Sequence, residues 1–295
     1  MDLDSFLTEL YVTIDEWWQA QARPRRRAGR PSRLSPSEVL TLAVVAQWPR
    51  WRSERDFWRF ADRHLRPLFP ELGSQSQLNR QLRTIEPVLR SLHWALAQRL
   101  AGPAEIYHVL DTTLIPAMHR VRACRHGLFA GQASFGWCVS KTAWVYGFKV
   151  ALSVSRSGVI TAFGLAPANC DERPIGEALL ARDGFDLYLT DKGFASPRWE
   201  QRWRAVYQAE VITTPQRSFR RAWSAATYRW AAGHRQVVEQ VIDQLKDLFA
   251  LERHRAKTLS GLLARLAAKV TAFTLGEWLN VQHDRPLRHL ADLLI

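Results

Sequence analysis

Cysteine is scarce in this sequence of 295 residues, and the three present, Cys124, Cys138 and Cys170, form no close pair. An odd number of isolated cysteines argues against a disulfide-stapled domain and fits a reducing compartment. The nine histidines show no metal-ligand spacing either. The composition therefore gives no support for a zinc site built from histidine and cysteine.

Long apolar runs are missing as well. The longest, Val39 to Trp48, is much shorter than the roughly 20 residues that a membrane-spanning helix needs. The first residues, MDLDSFLTEL, carry acids where a secretory signal peptide has a basic region. These two absences predict a protein that does not span a membrane and that works in the cytoplasm.

Two common catalytic motifs are also absent. The sequence contains no Gly-x-x-x-x-Gly-Lys loop, which argues against hydrolysis of nucleoside triphosphates. It contains no Gly-x-Ser-x-Gly turn, which argues against a Ser-His-Asp triad of the hydrolase type. Any chemistry must therefore rest on other groups.

Positive charge is in excess. The chain has 41 Lys plus Arg against 28 Asp plus Glu, a net charge of +13, which indicates a polyanionic partner such as nucleic acid. Six arginines and no acid lie in the stretch Ala22 to Arg33. Such a stretch is either a flexible arm that contacts DNA phosphates or a plain solvated linker. The predicted contacts of the arm are Arg25, Arg26, Arg27 and Arg30.

The first hundred residues show helical periodicity and no strand-like alternation. Ser35, Pro36 and Glu38 have the spacing of a capping box with proline at the first helical position. We predict an all-helical domain over residues 1–102, for binding DNA ends or for dimerisation. The polar stretch Ser74 to Arg83 is either a recognition helix or an ordinary solvated helix. Helices are predicted at residues 3–18, from Ser35 onward, at 53–65 and at 75–100.

After Gly102-Pro103 the pattern changes to strands that alternate with helices. The order is strand, hairpin, helix, strand, helix, strand, helix, which predicts a mixed α/β domain over residues 103–295 with one core. Its last helix is expected from about Thr258 to Asn280. The predicted strands are residues 106–110, the hairpin 145–154 and 159–165, then 187–190 and 211–213.

Two aspartates follow apolar strands in otherwise basic surroundings. Asp111 follows Ile106 to Leu110, and no acid lies between it and Asp171; Asp191 follows Leu187 to Thr190. A carboxylate at the end of a buried strand needs a positive partner, either an arginine or a divalent cation. Asp183 and Asp186, before the second strand, are expected to be solvated.

A third acid lies on a predicted amphipathic helix from Gly233 to Arg253. Arg235, Glu239 and Lys246 share one side of it, beside the apolar face. They form either an ordinary surface ion-pair ladder or the edge of a metal site that meets phosphate. With Asp111 and Asp191, Glu239 could hold two Mg²⁺ ions and support phosphodiester cleavage.

Four motifs together resemble bacterial insertion-sequence transposases of the DDE class, and among them the insertion-sequence family numbered 982. They are VLDTTLIP around Asp111, YGFK at 146–149, TDKGF around Asp191, and Arg235-x3-Glu239-x6-Lys246. The resemblance covers about residues 106–280. It implies an RNase H-like catalytic domain, Mg²⁺ or Mn²⁺ as cofactor, and cleavage of double-stranded DNA followed by strand transfer.

In this resemblance Asp111, Asp191 and Glu239 are the catalytic metal ligands, and Arg235 and Lys246 steady the DNA backbone beside the glutamate. We predict Lys192 and Lys149 as further DNA contacts. Two positions depart from the family pattern: Ala232 replaces a tyrosine, and Ala151 replaces a histidine found in many relatives. These departures concern secondary DNA contacts and leave the three acids in place.

The sequence therefore predicts a DNA transposase that acts as a homodimer on DNA in a bacterial cytoplasm. Two alternatives remain open: a structure-specific DNA nuclease on the same fold, and a catalytically inactive DNA-binding descendant of a transposase. Terminal inverted repeats flanking the coding region would separate a transposase from both alternatives.

Overall fold

The computed structural model describes residues 1–21, 32–48, 51, 53–125, 127–214 and 223–293. These residues form two compact units, each considered by itself below. The helical unit contains Met1–Leu96, Asp247–Ala256 and Ser260–Ile295, and the sheet unit contains Ala97–Lys246 and Lys257–Leu259.

Helices occupy most of the chain up to residue 100. The Ser35 hydroxyl accepts from the Glu38 N–H and the Glu38 carboxylate accepts from the Ser35 N–H, which confirms the predicted capping box. The helix predicted over 75–100 is instead two helices that meet at Ile85, because Pro87 lacks an N–H and clashes with the preceding turn. The helices are α1 (Leu3–Gln19), α2 (Pro36–Val45), α3 (Glu54–His64), α4 (Gln75–Thr84) and α5 (Glu86–Leu100).

The sheet unit is built on a mixed sheet. In the described part of the chain its strand order is β2-β3-β1-β5-β6, and β4 also pairs with β3. Strand β1 lies antiparallel to β3 and parallel to β5, which is parallel to β6. The strands are β1 (His108–Met118), β2 (Ser134–Cys138), β3 (Ala143–Ser155), β4 (Ile160–Pro167), β5 (Leu187–Thr190) and β6 (Glu210–Thr213).

Helices connect and cover these strands. Leu179 and Leu180 of α7 and Trp203 of α8 pack in one buried cluster with Leu110 of β1 and Tyr188 of β5. A mixed α/β domain preceded by helices, the predicted fold class, is thereby confirmed. The helices of this unit are α6 (Arg120–Ala123), α7 (Glu172–Asp183), α8 (Pro197–Tyr207), α9 (Ala225–His234) and α10 (Gln236–Asp247).

Strand β1 is longer than the sequence indicates. The predicted strand ended at Leu110, whereas the observed strand continues to Met118 because its antiparallel pairing with β3 continues. Its parallel pairing with β5 does stop at Leu110, opposite Thr190. Asp111 is therefore the first residue of β1 beyond the point where β1 and β5 cease to pair.

Two further differences concern strand β2 and the last residue of α7. Strand β2 was not predicted, because its large side chains Phe135 and Trp137 face solvent and give no pattern of a buried face. Asp183 was expected to be solvated, but its side chain is only 1% exposed and lies 2.6 Å from the His108 ring. Burial alone raises the pKa of Asp183, but hydrogen bonds from His108 and Ser153 outweigh it and hold the pKa below its usual value.

The end of the chain groups with the N-terminal helices rather than with the sheet. The prediction assigned all of 103–295 to one domain, whereas residues 247–256 and 260–295 belong to the helical unit. The reason is α11 (Leu259–Gln282), which is apolar around most of its circumference and needs apolar partners on several sides. Within the helical unit the Thr271 hydroxyl donates to the Leu89 carbonyl, and Trp48 contacts Phe249 edge-on.

Among the described residues, α11 alone is long and apolar enough to cross a membrane by length and composition. However, 78% of its most apolar 18-residue window is buried inside the protein, which is typical of a core helix.

Candidate active site

Two aspartates lie where the parallel pairing of β1 with β5 stops, Asp111 within β1 and Asp191 directly after β5. Leu110 of β1 is paired with Thr190 of β5, so Asp111 and Asp191 are the next residues in register. Both carboxylates approach the Arg235 guanidinium: Asp111 Oδ2 lies 3.9 Å from Nη2, and Asp191 Oδ1 lies 3.5 Å from Nη1. Side chains at this position of an α/β sheet commonly bind ligands, because the strands diverge there and leave a crevice.

The Asp111 carboxyl group is deficient in compensating positive charge. Its side chain is only 20% exposed, and this burial raises its pKa to about 6. The Thr112 N–H, 2.7 Å from Oδ1, and Arg235 act in the opposite direction without cancelling the effect of burial. The charges of Glu172 and Asp191 raise the pKa further, so an additional cation here would be stabilised.

Arg235 is not a surface side chain. It lies between α9 and α10 with its side chain 13% exposed, and its Nη1 also lies 3.4 Å from the Thr214 hydroxyl. Its Nε is buried without a hydrogen-bond partner in the described part of the protein. Arg235 thus binds the two aspartates from within the protein, and its contact with DNA stays a prediction.

Glu239 lies on α10, about one turn after Arg235, and is exposed. The predicted helix from Gly233 to Arg253 is shorter in the structure: α10 ends at Asp247, and Ala250 then takes a left-handed conformation with φ 49°. The buried side chains of α10 are Val238, Val241, Ile242 and Leu245, so its predicted apolar face is largely observed.

No group of three or more His, Cys, Asp or Glu side chains in the described ranges is arranged to hold a metal ion. Asp111 and Asp191 supply the hard carboxylate oxygens that Mg²⁺ and Mn²⁺ prefer, and the charge deficit at Asp111 fits a cation. Glu239 is the predicted third ligand, and its role as a ligand stays a prediction.

The other predicted DNA contacts lie in different settings. Lys246 is paired with Asp243, 3.8 Å away on the same helix, and Lys192 is exposed directly after Asp191. Lys149 is 13% exposed, and its ammonium group donates to the Cys170 carbonyl at 2.8 Å. The arm residues Arg25, Arg26, Arg27 and Arg30 lie outside the described residues.

Glu172, at the start of α7, is a residue of the site that sequence reasoning missed. Its Oε1 accepts from the Thr112 hydroxyl at 2.7 Å and lies 3.4 Å from the Lys149 ammonium. Its other oxygen lies against Gly193, where an added Cβ would be only 1.8 Å away. Glu172 therefore contacts the residues that follow both aspartates.

One signal could have revealed this residue. Asp171 and Glu172 are the first acids after the acid-free stretch that follows Asp111, so they end the longest segment of the sequence without a carboxylate. The same gap that distinguishes Asp111 at its start therefore also marks Glu172 at its end.

One comparison with known proteins bears on this site. A family model described as a transposase DDE domain matches residues 101–259, which is more than half of the 295-residue chain. The matched segment contains Asp111, Asp191, Arg235 and Glu239. A search of curated proteins gave no match.

Proposed function

Because the chain belongs to the transposase DDE domain family, we propose that it is a DNA transposase that cleaves the ends of an insertion sequence and transfers them to target DNA. The observation that carries the proposal is the placement of Asp111 and Asp191 side by side on Arg235. A carboxylate pair beside the point where two parallel strands cease to pair suits metal-assisted phosphodiester chemistry.

Asp111, Asp191 and Glu239 are the residues that would hold Mg²⁺ or Mn²⁺. The charge deficit at Asp111 supports this assignment, since its carboxylate is buried beside Asp191 and Glu172 with Arg235 as the nearby cation. When bound, the metal ions would supply activation of water and stabilisation of charge on the attacking and leaving oxygens.

The chain's own residues orient these groups and neutralise the substrate. The Thr112 N–H fixes one oxygen of Asp111, and Arg235 keeps the two aspartates together despite their like charges. Lys246 and Lys192 are proposed to contact phosphates that flank the scissile one, together with Arg235 and Lys149. Positioning and charge neutralisation, rather than a covalent nucleophile, would then supply the catalysis.

The partner of this site would be double-stranded DNA, both at the transposon ends and at the target. We assign DNA-end binding or dimerisation to the helical residues 1–102 and phosphate affinity to the arm that contains Arg25, Arg26, Arg27 and Arg30. A homodimer on DNA in a bacterial cytoplasm is the proposed working form. The net charge of +13 supports a polyanionic partner.

Purified protein and a DNA duplex that carries the terminal inverted repeats flanking the coding region test this proposal. In Mg²⁺ we expect cleavage at the repeat ends and products in which the freed 3′ ends are joined to a second DNA. Cleavage without joining would favour the structure-specific nuclease. Specific binding with neither reaction would favour the inactive DNA-binding descendant, and Asp111→Asn serves as the cleavage-deficient control.

A further inference from the structure

One surface of the sheet unit carries solvent-facing aromatic side chains on paired strands. In the β2–β3 hairpin, Phe135 is opposite Tyr146 and Trp137 is opposite Trp144. Trp137 is 47% exposed and Trp144 is 49% exposed, and their rings meet edge-to-face with centroids 5.6 Å apart. Since residues directly opposite each other share a face of a sheet, these side chains lie on one aromatic face, on which Phe135, Trp137 and Trp144 are exposed and Tyr146 is buried.

Exposed apolar side chains are concentrated here. Of the 12 large apolar residues that are exposed in the described ranges, five lie between Val121 and Trp144. Single exposed apolar residues are ordinary, but a cluster of them indicates a binding surface. The members are Val121, Phe135, Trp137, Val139 and Trp144.

A hollow of about 630 Å³ adjoins these rings. The residues that line it include Pro116, Met118, Arg120, Trp137 and Trp144. Its volume lies within the range of roughly 300–1,000 Å³ that is usual for small-molecule sites, so it can receive a group of the size of a base. We call the exposed rings of Phe135, Trp137 and Trp144, together with Arg120 and Lys141, the aromatic–basic surface.

The segment of the chain that carries this surface has charged residues of a single sign. The sequence from Thr112 to Cys170, which supplies α6, β2, β3 and β4, contains six Lys or Arg and no Asp or Glu. A second copy that docked through the same face would bring cations against cations with no acid from this stretch to offset them. A polyanion has the complementary charge.

The exposed tryptophan rings indicate which class of polyanion this surface would bind. In a DNA duplex the faces of the bases are stacked inside the helix, so a tryptophan can stack only on a base that is unpaired or turned out. Nucleic acid with unpaired bases combines a negative backbone with exposed aromatic faces. The cations of the aromatic–basic surface can contact that backbone, and its rings can stack on those bases. An intact duplex would contact the cations alone.

We propose that the aromatic–basic surface binds unpaired nucleotides of the DNA substrate, with Trp137 and Trp144 stacked on bases and Arg120 and Lys141 near phosphates. This inference rests on the proposed function, because it names a structural feature of the substrate of that transposase. Frayed or unwound DNA beside the cleaved strand would be the natural ligand.

Binding of fluorescently labelled oligonucleotides to the full chain in EDTA tests the surface without any cleavage. Trp137→Leu and Trp144→Leu should each weaken binding of a mixed-sequence single strand about tenfold to hundredfold, and should change binding of a blunt duplex by much less. Trp137→Phe and Trp144→Phe should retain most of the affinity, since phenylalanine keeps a ring face. Arg120→Ala should lower the slope of log affinity against log salt by about 0.7 for the single strand.

Trp230→Leu is the matched control, because Trp230 is 36% exposed in the same sheet unit and is not a member of the aromatic–basic surface. Equal affinities of the Leu and Phe variants, or equal losses for single strand and duplex, would overturn the proposal. A loss of dimer in sedimentation on Trp137→Leu, with single-strand binding intact, would assign the surface to contact between copies instead.

The binding test of this surface and the cleavage test of the proposed function can give opposite results. If the protein binds single strands through stacking but neither cleaves nor joins DNA, the proposed surface is supported and the proposed transposase activity is contradicted. If the tryptophan variants cleave and join DNA normally and bind single strands as well as the wild type does, only the proposed surface is contradicted.

Discussion

Replacing Asp111 by asparagine tests whether this buried carboxyl group lacks compensating charge. Asparagine keeps the shape of the side chain and an oxygen that can accept the Thr112 N–H, but it carries no charge. Because burial raises the pKa of Asp111, its ionised form is disfavoured in the folded protein. Without metal, Asp111→Asn should therefore stabilise the protein at neutral pH.

The size and the sign follow from the pKa. The value rises from 3.8 to about 6, and at 1.36 kcal/mol per unit this corresponds to at most about 3 kcal/mol. The folded-state pKa exceeds the unfolded one, so the wild type has its full stability below about pH 4 and loses it progressively as pH rises through about 6. Asp111→Asn should remove this part of the pH dependence.

Urea unfolding of both proteins in EDTA, from pH 4 to pH 8, measures the effect. The free energies of unfolding should be nearly equal at pH 4, and the variant should be more stable by about 1–3 kcal/mol at pH 8. Saturating Mg²⁺ should then raise the stability of the wild type by more than that of the variant.

Asp186→Asn is the control, because Asp186 is exposed just before β5 and should show no such gain. A variant that is less stable than the wild type at pH 8, or a difference that is the same at both pH values, would refute the reasoning about Asp111.

Three further predictions concern Glu172, Lys246 and the arginine arm. Glu172→Ala, which removes the partner of Lys149 and the acceptor for Thr112, should slow cleavage about tenfold to hundredfold with unchanged DNA binding, and Glu172→Gln should restore part of the rate. Lys246→Ala should reduce cleavage increasingly as salt rises, with partial rescue by Lys246→Arg, because a phosphate contact requires positive charge. Replacing Arg25, Arg26 and Arg27 by Ala should flatten the salt dependence of duplex binding by up to about three units of log–log slope.

Each of these has a contradicting result. Wild-type cleavage by Glu172→Ala would reduce that residue to a surface partner of Lys149. The ion pair of Lys246 with Asp243, whose side chain is 70% exposed, contributes well under about 1 kcal/mol to stability. Wild-type cleavage by Lys246→Ala would therefore show that Lys246 is an ordinary surface residue. An unchanged salt slope in the triple arginine variant, measured by fluorescence anisotropy, would make the arm a linker.

The alternation of apolar strands and helices was sufficient to predict the fold class. Strands such as Leu187–Thr190 have a local pattern that does not depend on distant residues, and its predicted bounds agree with β5. The capping box at Ser35 is also local, and it was predicted from three residues. The extension of β1 past Asp111 depends on its pairing with β3 and could not be seen in the strand's own sequence.

In the candidate site, too, local features could be predicted from the sequence and long-range contacts could not. Two acids after apolar strands can be recognised locally, but the ion pairs of Arg235 with both of them depend on tertiary packing. The contact between Glu172 and Thr112 joins residues 60 positions apart, and no local period marks it. The grouping of α11 with the N-terminal helices likewise follows from packing of its apolar surface rather than from its position in the chain.

The most direct test of the central claim is metal-dependent cleavage of a DNA duplex that carries the terminal repeats, measured for Asp111→Asn, Asp191→Asn and Glu239→Gln beside the wild type. If these three acids hold the metal ions, each variant should bind the duplex with nearly the wild-type affinity and should show no cleavage in Mg²⁺. Cleavage at the wild-type rate by any one of the three would contradict the account.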